Sequence, residues 1–280
     1  MTTVRVATLN LWNTVHRQID RLHAAAEALT WIDADIVALQ EVRRHLTGDP
    51  GSDSATFPRA RTGYAFAAFQ PFPANPEEGL AFLGKHPLRV TGNGLAAIGD
   101  CALRVTVDIE GIGFALTNAH LDYASVAARE RQITGIAEVI TRESGEDRYE
   151  VLLGDFNSYP ESSVYQFLAG QQTPHGHETV PWHDLARGWA ARTSSALSPT
   201  LDFEHNPRWR DTPTPDRPAR CDWILLRDTF ASGLVSPSLT DAGIFGDTPA
   251  PRARIVPSDH YGVYADLTVP EMEVHRRDLP

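Results

Sequence analysis

The stretch VLLGDFNSYP, residues 151–160, sets a carboxylate and a carboxamide directly after a short apolar run. Residues 151–153 are continuously apolar and end at Gly154, which predicts a short buried strand. Side chains two residues apart in an extended chain point the same way, so Asp155 and Asn157 can converge on one phosphate, metal ion or water. Gly-Asp-x-Asn is also ordinary turn chemistry, because Asp and Asn side chains hydrogen-bond their own backbone. Other segments must therefore decide between these interpretations.

The same arrangement, an apolar strand with polar residues at its end, recurs along the chain. Six predicted strands carry such ends: Asn10; Gln40 with Glu41; His120; Asp155 with Asn157; Asp222; and Asp259 with His260. Ligand sites in sheet proteins form where strand ends meet. Carboxylates, carboxamides and imidazoles, without a Cys among them or a Ser in a G-x-S-x-G elbow, favour an oxygen-ligated hard metal ion and phosphate chemistry.

The elements that must position these groups follow from hydrophobic periodicity. Strands are predicted at 4–10, 35–39, 80–83, 101–109, 113–118, 151–153, 223–226 and 261–267, and helices around 19–29, 125–142 and 164–169. Residues 47–61 are predicted to form a polar loop, and residues 170–220 mainly long loops, because they are rich in Pro, His, Trp and Asp and have little periodicity.

Composition and net charge further restrict the fold classes and functions that are possible. A chain of 280 residues with 42% hydrophobic content can form one large α/β domain or two small ones. A formal net charge of −11 without a dense Lys/Arg run weakens the case for long-duplex binding, although a bound metal ion could supply local positive charge. Cys101 and Cys221 are too far apart for a zinc ribbon and are expected to be reduced and structural.

The sequence lacks a membrane-spanning apolar run and a recognisable secretory signal in MTTVRVATLN. We therefore expect a cytoplasmic protein without integral membrane association. We also expect a monomer.

Seven segments resemble, in order, the endonuclease/exonuclease/phosphatase superfamily, which includes pancreatic-type deoxyribonuclease, exonuclease III-like abasic endonucleases, inositol-polyphosphate 5-phosphatases and neutral sphingomyelinases. The segments are TLNLW (8–12), LQEV (39–42), EGLAFLGKHPL (78–88), TNAHL (117–121), GDFN (154–157), RCDWILL (220–226) and SDH (258–260). The resemblance implies a four-layered α/β sandwich of two mixed β-sheets packed face to face with helices outside. It also implies one domain over residues 1–270, a C-terminal tail over 271–280, and a magnesium-dependent phosphoester hydrolase for which Mn²⁺ is an alternative.

The resemblance also implies roles for individual residues. Glu41 would be the principal metal ligand, with Asn10 beside it and Asp259 close to the ion. Asp155 would orient or deprotonate the attacking water, and Asn157 would hold that water or a phosphate oxygen.

Two imidazoles complete the site that the resemblance implies. His260, paired with Asp222, would stabilise or protonate the phosphoryl group, and His120, backed by Glu78, would donate to another nonbridging oxygen. The residue types are compatible with either Asp155 or His260 as the proton acceptor.

Three functions remain open at this point: a nuclease-like phosphodiesterase acting on DNA, RNA or a nucleotide; a small-molecule phosphoesterase acting on a phospholipid or inositol head group; and a catalytically silent binding module. The complete set of polar strand ends disfavours the silent module. We favour the nuclease-like activity. Residues 195–220 lead into Asp222, and within them Arg208, Trp209 and Arg210 could hold a phosphate and a base-like face.

Isolated tryptophans and histidines elsewhere are predicted to be structural. The set comprises Trp182, Trp189, Trp209, His175, His177 and His183, so Trp209 has both this interpretation and that of the 208–210 cluster. Their spacing matches no zinc pattern, and single aromatics are usually packed in cores or loops.

Overall fold

The computed structural model describes residues 1–46, 51, 53–95, 101–145, 147–209, 216–230 and 232–270. The strands in these ranges are β1 (Thr2–Asn10), β2 (Ile36–Arg43), β3 (Phe66–Phe72), β4 (Asn75–Gly84), β5 (Arg89–Thr91), β6 (Ala102–Ile109), β7 (Ile112–His120), β8 (Arg148–Asp155), β9 (Trp182–Asp184), β10 (Asp222–Arg227), β11 (Ser238–Phe245) and β12 (Gly262–Val269). The helices are α1 (Gln18–Ile32), α2 (Thr56–Arg59), α3 (Val126–Glu143), α4 (Ser163–Leu168) and α5 (Leu185–Thr193).

The strands form two mixed six-stranded sheets of similar layout. The first has the order β11-β12-β1-β2-β4-β3, and the second has the order β5-β6-β7-β8-β10-β9. In each sheet the central pair is parallel, β1 with β2 and β7 with β8, and the flanking pairs are antiparallel. The carboxyl ends of two parallel pairs therefore become available for a site.

Side-chain alternation along the strands builds four layers. Val4 and Val6 of β1 point into a core shared by both sheets, whereas Ala7 and Leu9 pack beneath α1. The outer face of the second sheet packs against α3 and α4. This arrangement confirms the predicted α/β sandwich.

The main strands and helices predicted from the sequence are present, but elements with weak hydrophobic periodicity were missed. Within residues 170–220, predicted mainly as loop, the chain forms β9 and α5. Asp184 caps α5 by accepting from Arg187 N at 3.1 Å. Only Leu185 and Ala190 of α5 are buried, so its periodicity is too weak to reveal it.

Other differences have similar causes. The predicted loop at 47–61 contains the short helix α2. Strands β3, β5 and β11 were not anticipated, because all three lie at sheet edges and β5 is only three residues long. Residues 47–50 of that loop and the predicted tail at 271–280 lie outside the described residues. None of the helices in the described ranges has the length and hydrophobicity of a membrane-spanning segment.

Candidate active site

Strand register brings the polar ends of the second sheet together. In β7 and β8, which are parallel, His120 is paired with Asp155, and in antiparallel β8 and β10, Asp155 is paired with Asp222. Gly154 permits this packing, because it has φ +133° and a Cβ there would lie 2.0 Å from the Ala119 carbonyl oxygen. The glycine of the GDFN segment therefore serves the close approach of β7 to β8.

Asp155 is the central buried carboxylate of the site. Its Oδ1 accepts from Asn157 N at 2.8 Å, and its Oδ2 accepts from Asn10 Nδ2 at 3.0 Å. His120 Nε2 and His260 Nδ1 lie 3.8 and 3.9 Å from the same Oδ2. The turn interpretation of this stretch is therefore correct for Oδ1, which accepts from Asn157 N, whereas Oδ2 lies beside Asn10, His120 and His260.

The prediction that Asn157 projects beside Asp155 from an extended chain is wrong. Asn157 lies beyond the end of β8 and has φ +45°, so it is not part of an extended chain with Asp155. Its Nδ2 donates to the Leu121 carbonyl oxygen at 2.8 Å, which ties the turn after β8 to the end of β7.

His260 and Asp222 form a buried pair, with Nδ1 of His260 and Oδ2 of Asp222 2.9 Å apart. Burial alone would lower the pKa of His260, but the nearby charges of Asp222 and Asp155 and the hydrogen bond to Asp222 raise it well above its usual value. Burial also raises the pKa of Asp222, against the opposing charge of His260. The geometry suits an imidazolium held in a fixed orientation.

Glu41 stands in a β-bulge. The sequence predicted that β2 ends at Gln40 and Glu41, but the strand continues to Arg43, because Val42 and Arg43 pair with Gly79 and Glu78 of β4. The register shift lies between Leu39 and Val42, and Glu41 has φ +53°. Bulges re-aim side chains next to functional sites, which is the effect here.

Hydrogen bonds hold the Glu41 carboxylate on both oxygens. Oε1 accepts from Asn10 Nδ2 at 3.1 Å, and Oε2 accepts from Asn13 N at 2.6 Å. Asn10 therefore bridges Glu41 and Asp155 through its amide nitrogen, whereas its Oδ1 accepts from Trp12 N at 2.9 Å.

Asp259 is the second carboxylate on this side of the site. Burial raises its pKa to about 6, the charge of His260 opposes the rise, and the charge of Glu41 adds to it. A divalent cation between Glu41 and Asp259 would relieve that repulsion, and an all-oxygen donor set suits Mg²⁺ or Mn²⁺. The residues present therefore fit a hard divalent ion.

Glu78 lies at the margin of the site. The prediction that it supports His120 is wrong. The Oε2 of Glu78 accepts from Asn13 Nδ2 at 2.8 Å and from Asn75 Nδ2 at 3.3 Å. Within the described part of the chain, Glu78 makes no hydrogen bond or ion pair with His120, which instead lies beside Asp155. The two side chains come from different sheets, β4 and β7, a separation that the sequence alone did not reveal.

Two residues that hold the site were not identified from the sequence. Asn13 joins Glu41 to Glu78 through the two hydrogen bonds above. Arg21 of α1 donates to carbonyl oxygens of five residues, Leu11, Trp12, Thr14, His16 and Pro257. Its burial lowers the pKa to about 10, against the charges of Asp259 and Glu41. Neither residue falls in a recognisable pattern, because each acts mainly on or through backbone.

Residues of the segment 195–220, which leads into β10, contact the backbone next to Asp222 and Asp259. Only its C-terminal end was predicted to lie at the site. Thr200 Oγ1 accepts from the backbone nitrogens of Cys221 and Asp222 at 3.1 and 3.2 Å. Asn206 Nδ2 donates to the Asp259 carbonyl oxygen at 3.1 Å, and Trp209 Nε1 donates to the same oxygen at 3.4 Å. Arg210, the third member of the predicted cluster, lies outside the described residues.

The residues expected to be structural behave that way. Trp182 is buried and Trp189 packs against the core. Ring nitrogens of His175, His177 and His183 lie 3.6, 2.7 and 2.9 Å from carboxylate oxygens of Glu130, Glu138 and Asp228 respectively.

The chain is similar to proteins of one known family. The profile of the Endonuclease/Exonuclease/phosphatase family matches residues 7–260. No curated protein matches the chain significantly. Among solved structures, D. rerio TDP2 complexed with single strand DNA product is similar with a TM-score of 0.73 and 15% identity, covering 96% of this chain and 100% of that one.

Two further structures share the fold. The human Nocturnin catalytic domain with bound sulfate anion has a TM-score of 0.66 and 17% identity, covering 96% of this chain and 95% of that one. A functionally unknown conserved protein from Enterococcus faecalis V583 has a TM-score of 0.66 and 18% identity, covering 95% and 100%. Because the family profile matches residues 7–260, a range that includes every residue predicted for the site, the chain belongs to the endonuclease/exonuclease/phosphatase family.

Proposed function

We propose that the protein is a divalent-metal-dependent phosphodiesterase that hydrolyses a P–O bond with an activated water and acts on nucleic acid or a nucleotide. The observation that carries the proposal is the convergence on Asp155. Asn10 connects it to Glu41, His120 lies on one side, and the Asp222–His260 pair lies on another. Phosphodiester hydrolysis needs such an acceptor for a water proton beside donors for phosphate oxygens.

Glu41 and Asp259 would hold Mg²⁺, with Mn²⁺ as the alternative, and Asn10 would support them. When bound, the ion neutralises phosphate charge and helps to orient the phosphoryl group. Asn13 and Arg21 act before substrate arrives, because they hold the Glu41 carboxylate and the loop around it in place. Preorganised carboxylates lower the cost of ordering the site.

Asp155 and His260 divide the proton chemistry. The raised pKa of His260 favours the imidazolium, which donates to a phosphate oxygen, so Asp155 is assigned as acceptor of the water proton. His120 donates to a second nonbridging oxygen, and Asn157 holds the water or a phosphate oxygen. Asp222 keeps the His260 ring in its orientation.

Exposed aromatic side chains beside the site support a nucleic-acid substrate. Tyr123 follows β7 and is 84% exposed, and Tyr159 follows β8 and is 52% exposed. Arg129 lies beside the first of these loops, since its Nη1 donates to the Tyr123 carbonyl oxygen at 3.2 Å. Burial raises the pKa of Tyr159, and the charge of Arg129 opposes that rise. Exposed tyrosines beside an arginine can stack bases of a single strand, and a similar fold, TDP2, has been observed with a single-stranded DNA product.

Removal of both stacking rings should weaken binding of single strands. Each base–aromatic stack contributes about 1–3 kcal/mol, so Tyr123→Ala with Tyr159→Ala should raise KM for a single-stranded oligonucleotide at least about 5-fold. The kcat for bis-p-nitrophenyl phosphate should change less than about 2-fold. Trp31→Ala is the matched control, because Trp31 is 71% exposed on α1. An unchanged KM for the oligonucleotide would show that the two tyrosines do not bind the substrate.

Arg208 supplies a cation next to the carboxylate side of the site. Its guanidinium carbon lies 4.2 Å from the Trp12 ring centroid and 5.3 Å from the Trp209 ring centroid. Its Nε is buried and has no hydrogen-bond partner among the described residues. A guanidinium oriented by two indoles is suited to a substrate phosphate.

We expect Arg208→Ala to raise KM for an oligonucleotide about 10-fold, because a charge-assisted hydrogen bond is worth about 1.5–3 kcal/mol. Turnover of a small generic diester should be nearly unchanged, since uniform binding is lost while the reacting groups remain. Trp209 is left intact, because its contact with the Asp259 carbonyl would confound the test. Arg192→Ala, which removes an arginine stacked on Trp189, is the control. Equal losses for both substrates would indicate structural damage instead.

The alternative is hydrolysis of a small phosphoester such as a phospholipid or inositol head group. The net charge of −11 favours it, because a long polyanion is repelled. Initial rates on single-stranded oligonucleotide, plasmid, sphingomyelin and inositol phosphates at equal Mg²⁺ distinguish the two. The proposal predicts the highest kcat/KM for the oligonucleotide. A preference for sphingomyelin or an inositol phosphate would replace it with the alternative, and no turnover of any substrate would favour a silent binding module.

A further inference from the structure

The thiol of Cys221 belongs to a buried group of potential metal donors next to Asp155. Its Sγ lies 3.6 Å from Asp222 Oδ2 and 4.0 Å from His260 Nδ1. One ligand atom from each of Asp155, Cys221 and His260 can be chosen so that all lie within 4.8 Å of one another. Asp222 Oδ2 adds a fourth donor at 2.9 Å from the His260 nitrogen.

A second observation points to a missing partner in the same place. Asp222 is fully buried, and its Oδ1 has no hydrogen-bond partner among the described residues. Buried carboxylate oxygens are normally satisfied, because leaving one unpaired costs free energy.

The donor chemistry selects a particular class of cation. A thiolate, an imidazole and carboxylates form a mixed sulfur, nitrogen and oxygen set, which suits borderline-soft Zn²⁺ and not Mg²⁺. Tetrahedral Zn²⁺, with bonds of about 2.0–2.3 Å, holds its donors roughly 3.3–3.6 Å apart. The 3.6 Å separation already fits, and those of 3.9 and 4.0 Å need contraction by about 0.4–0.6 Å. The 2.9 Å between Asp222 Oδ2 and His260 Nδ1 must widen by about 0.4 Å.

We propose that Asp155, Cys221, Asp222 and His260 form an inhibitory site for a borderline-soft divalent cation, of which Zn²⁺ is the representative. The ion takes the Nδ1 of His260 and an oxygen of Asp155, so it replaces the Asp222–His260 hydrogen bond and occupies the groups assigned to catalysis. Coordination bonds form to sulfur and nitrogen while the S–H and Nδ1–H protons pass to solvent. Only the inhibitory consequence rests on the proposed function; binding of the ion does not.

Titration with Co²⁺ tests binding without any assay of activity. The wild-type protein should develop sulfur-to-cobalt charge-transfer absorption in the near ultraviolet that saturates at one ion. Cys221→Ser should lose the band, whereas Cys101→Ser should retain it, because Cys101 is buried in the packing between the second sheet and its helices. A band that survives Cys221→Ser, or its absence from the wild type, would overturn the proposal.

A measurement on the unaltered chain covers the case in which Cys221→Ser fails to fold. X-ray absorption of the wild-type protein loaded with one Zn²⁺ should show one sulfur neighbour at about 2.3 Å. A shell of nitrogen and oxygen neighbours alone would contradict the site.

Inhibition connects the site to catalysis. With Mg²⁺ in excess, the Zn²⁺ concentration that halves the rate should rise at least about 10-fold in Cys221→Ser and stay unchanged in Cys101→Ser, as expected for loss of a thiolate ligand. Equal sensitivity of the two variants would refute the inhibitory role. A protein that binds Co²⁺ through Cys221 but hydrolyses no phosphodiester retains this metal site and loses the proposed function.

Discussion

Replacing Asp155 with asparagine should lower kcat at least about 10²-fold while the protein remains folded. Asparagine nearly preserves the shape of the side chain and its carbonyl oxygen can still accept from Asn157 N, but the amide cannot take a water proton. Steady-state kinetics at saturating Mg²⁺, with circular dichroism and thermal unfolding, measure the effect. Asp108→Asn is the matched control, because Asp108 Oδ1 also accepts from a backbone nitrogen, that of Gly111, in a turn away from the site. A folded Asp155→Asn protein with the wild-type rate would refute the assignment.

The same assay applied to His260→Ala should show a loss of similar size, since a donor to the phosphate oxygens disappears. The chain contains a matched pair for comparison: His183 Nε2 and Asp228 Oδ2 also lie 2.9 Å apart, but on the surface at β9. His183→Ala should therefore leave kcat unchanged. A folded His260→Ala protein whose kcat is as little changed as that of His183→Ala would refute His260 as a donor to the phosphate oxygens.

Chelation of divalent ions should reduce turnover to about 1% or less of the Mg²⁺-supplemented rate, with recovery on adding Mg²⁺. The motivating observation is the pair Glu41 and Asp259, whose mutual repulsion contributes to the raised pKa of Asp259. Glu41→Gln should raise the Mg²⁺ concentration needed for half-maximal activity at least about 10-fold. Glu27→Gln is the control, because Glu27 also accepts from backbone nitrogens, those of Arg252 and Ala253, but on the α1 surface. Full activity after exhaustive treatment with EDTA would remove the metal from the mechanism.

The periodicity of apolar residues predicted those strands and helices that bury a continuous apolar face. Strands β6 and β8 and helix α3 have such patterns. Ser125 caps α3 by accepting from Ala128 N at 3.2 Å. Helix α5 and edge strand β11 bury few side chains, so tertiary packing determines them and the sequence alone does not. The resemblance to a family supplied the layer arrangement, which periodicity cannot specify.

The polar residues at predicted strand ends include most side chains that the structure brings together at the candidate site. The sequence did not show which contacts hold those side chains in place. The left-handed conformation of Glu41 depends on the pairing of β2 with β4, two strands that lie far apart along the chain. Arg21 acts on carbonyl oxygens, which every residue possesses, so no side-chain pattern marks it. Cys221 was expected to be only structural, and its position beside His260 becomes visible only once β10 and the loop before β12 are together.

The central claim is that water attacks phosphorus and cleaves a P–O bond of a nucleic-acid diester. Its most direct measurement is hydrolysis of a single-stranded oligonucleotide in H₂¹⁸O with Mg²⁺, followed by mass spectrometry of both products. We expect one ¹⁸O atom in the phosphate-bearing product for each bond cleaved, none in the released hydroxyl, and no product from Asp155→Asn on the same timescale. Label in the released hydroxyl, or equal cleavage by Asp155→Asn, would contradict the account.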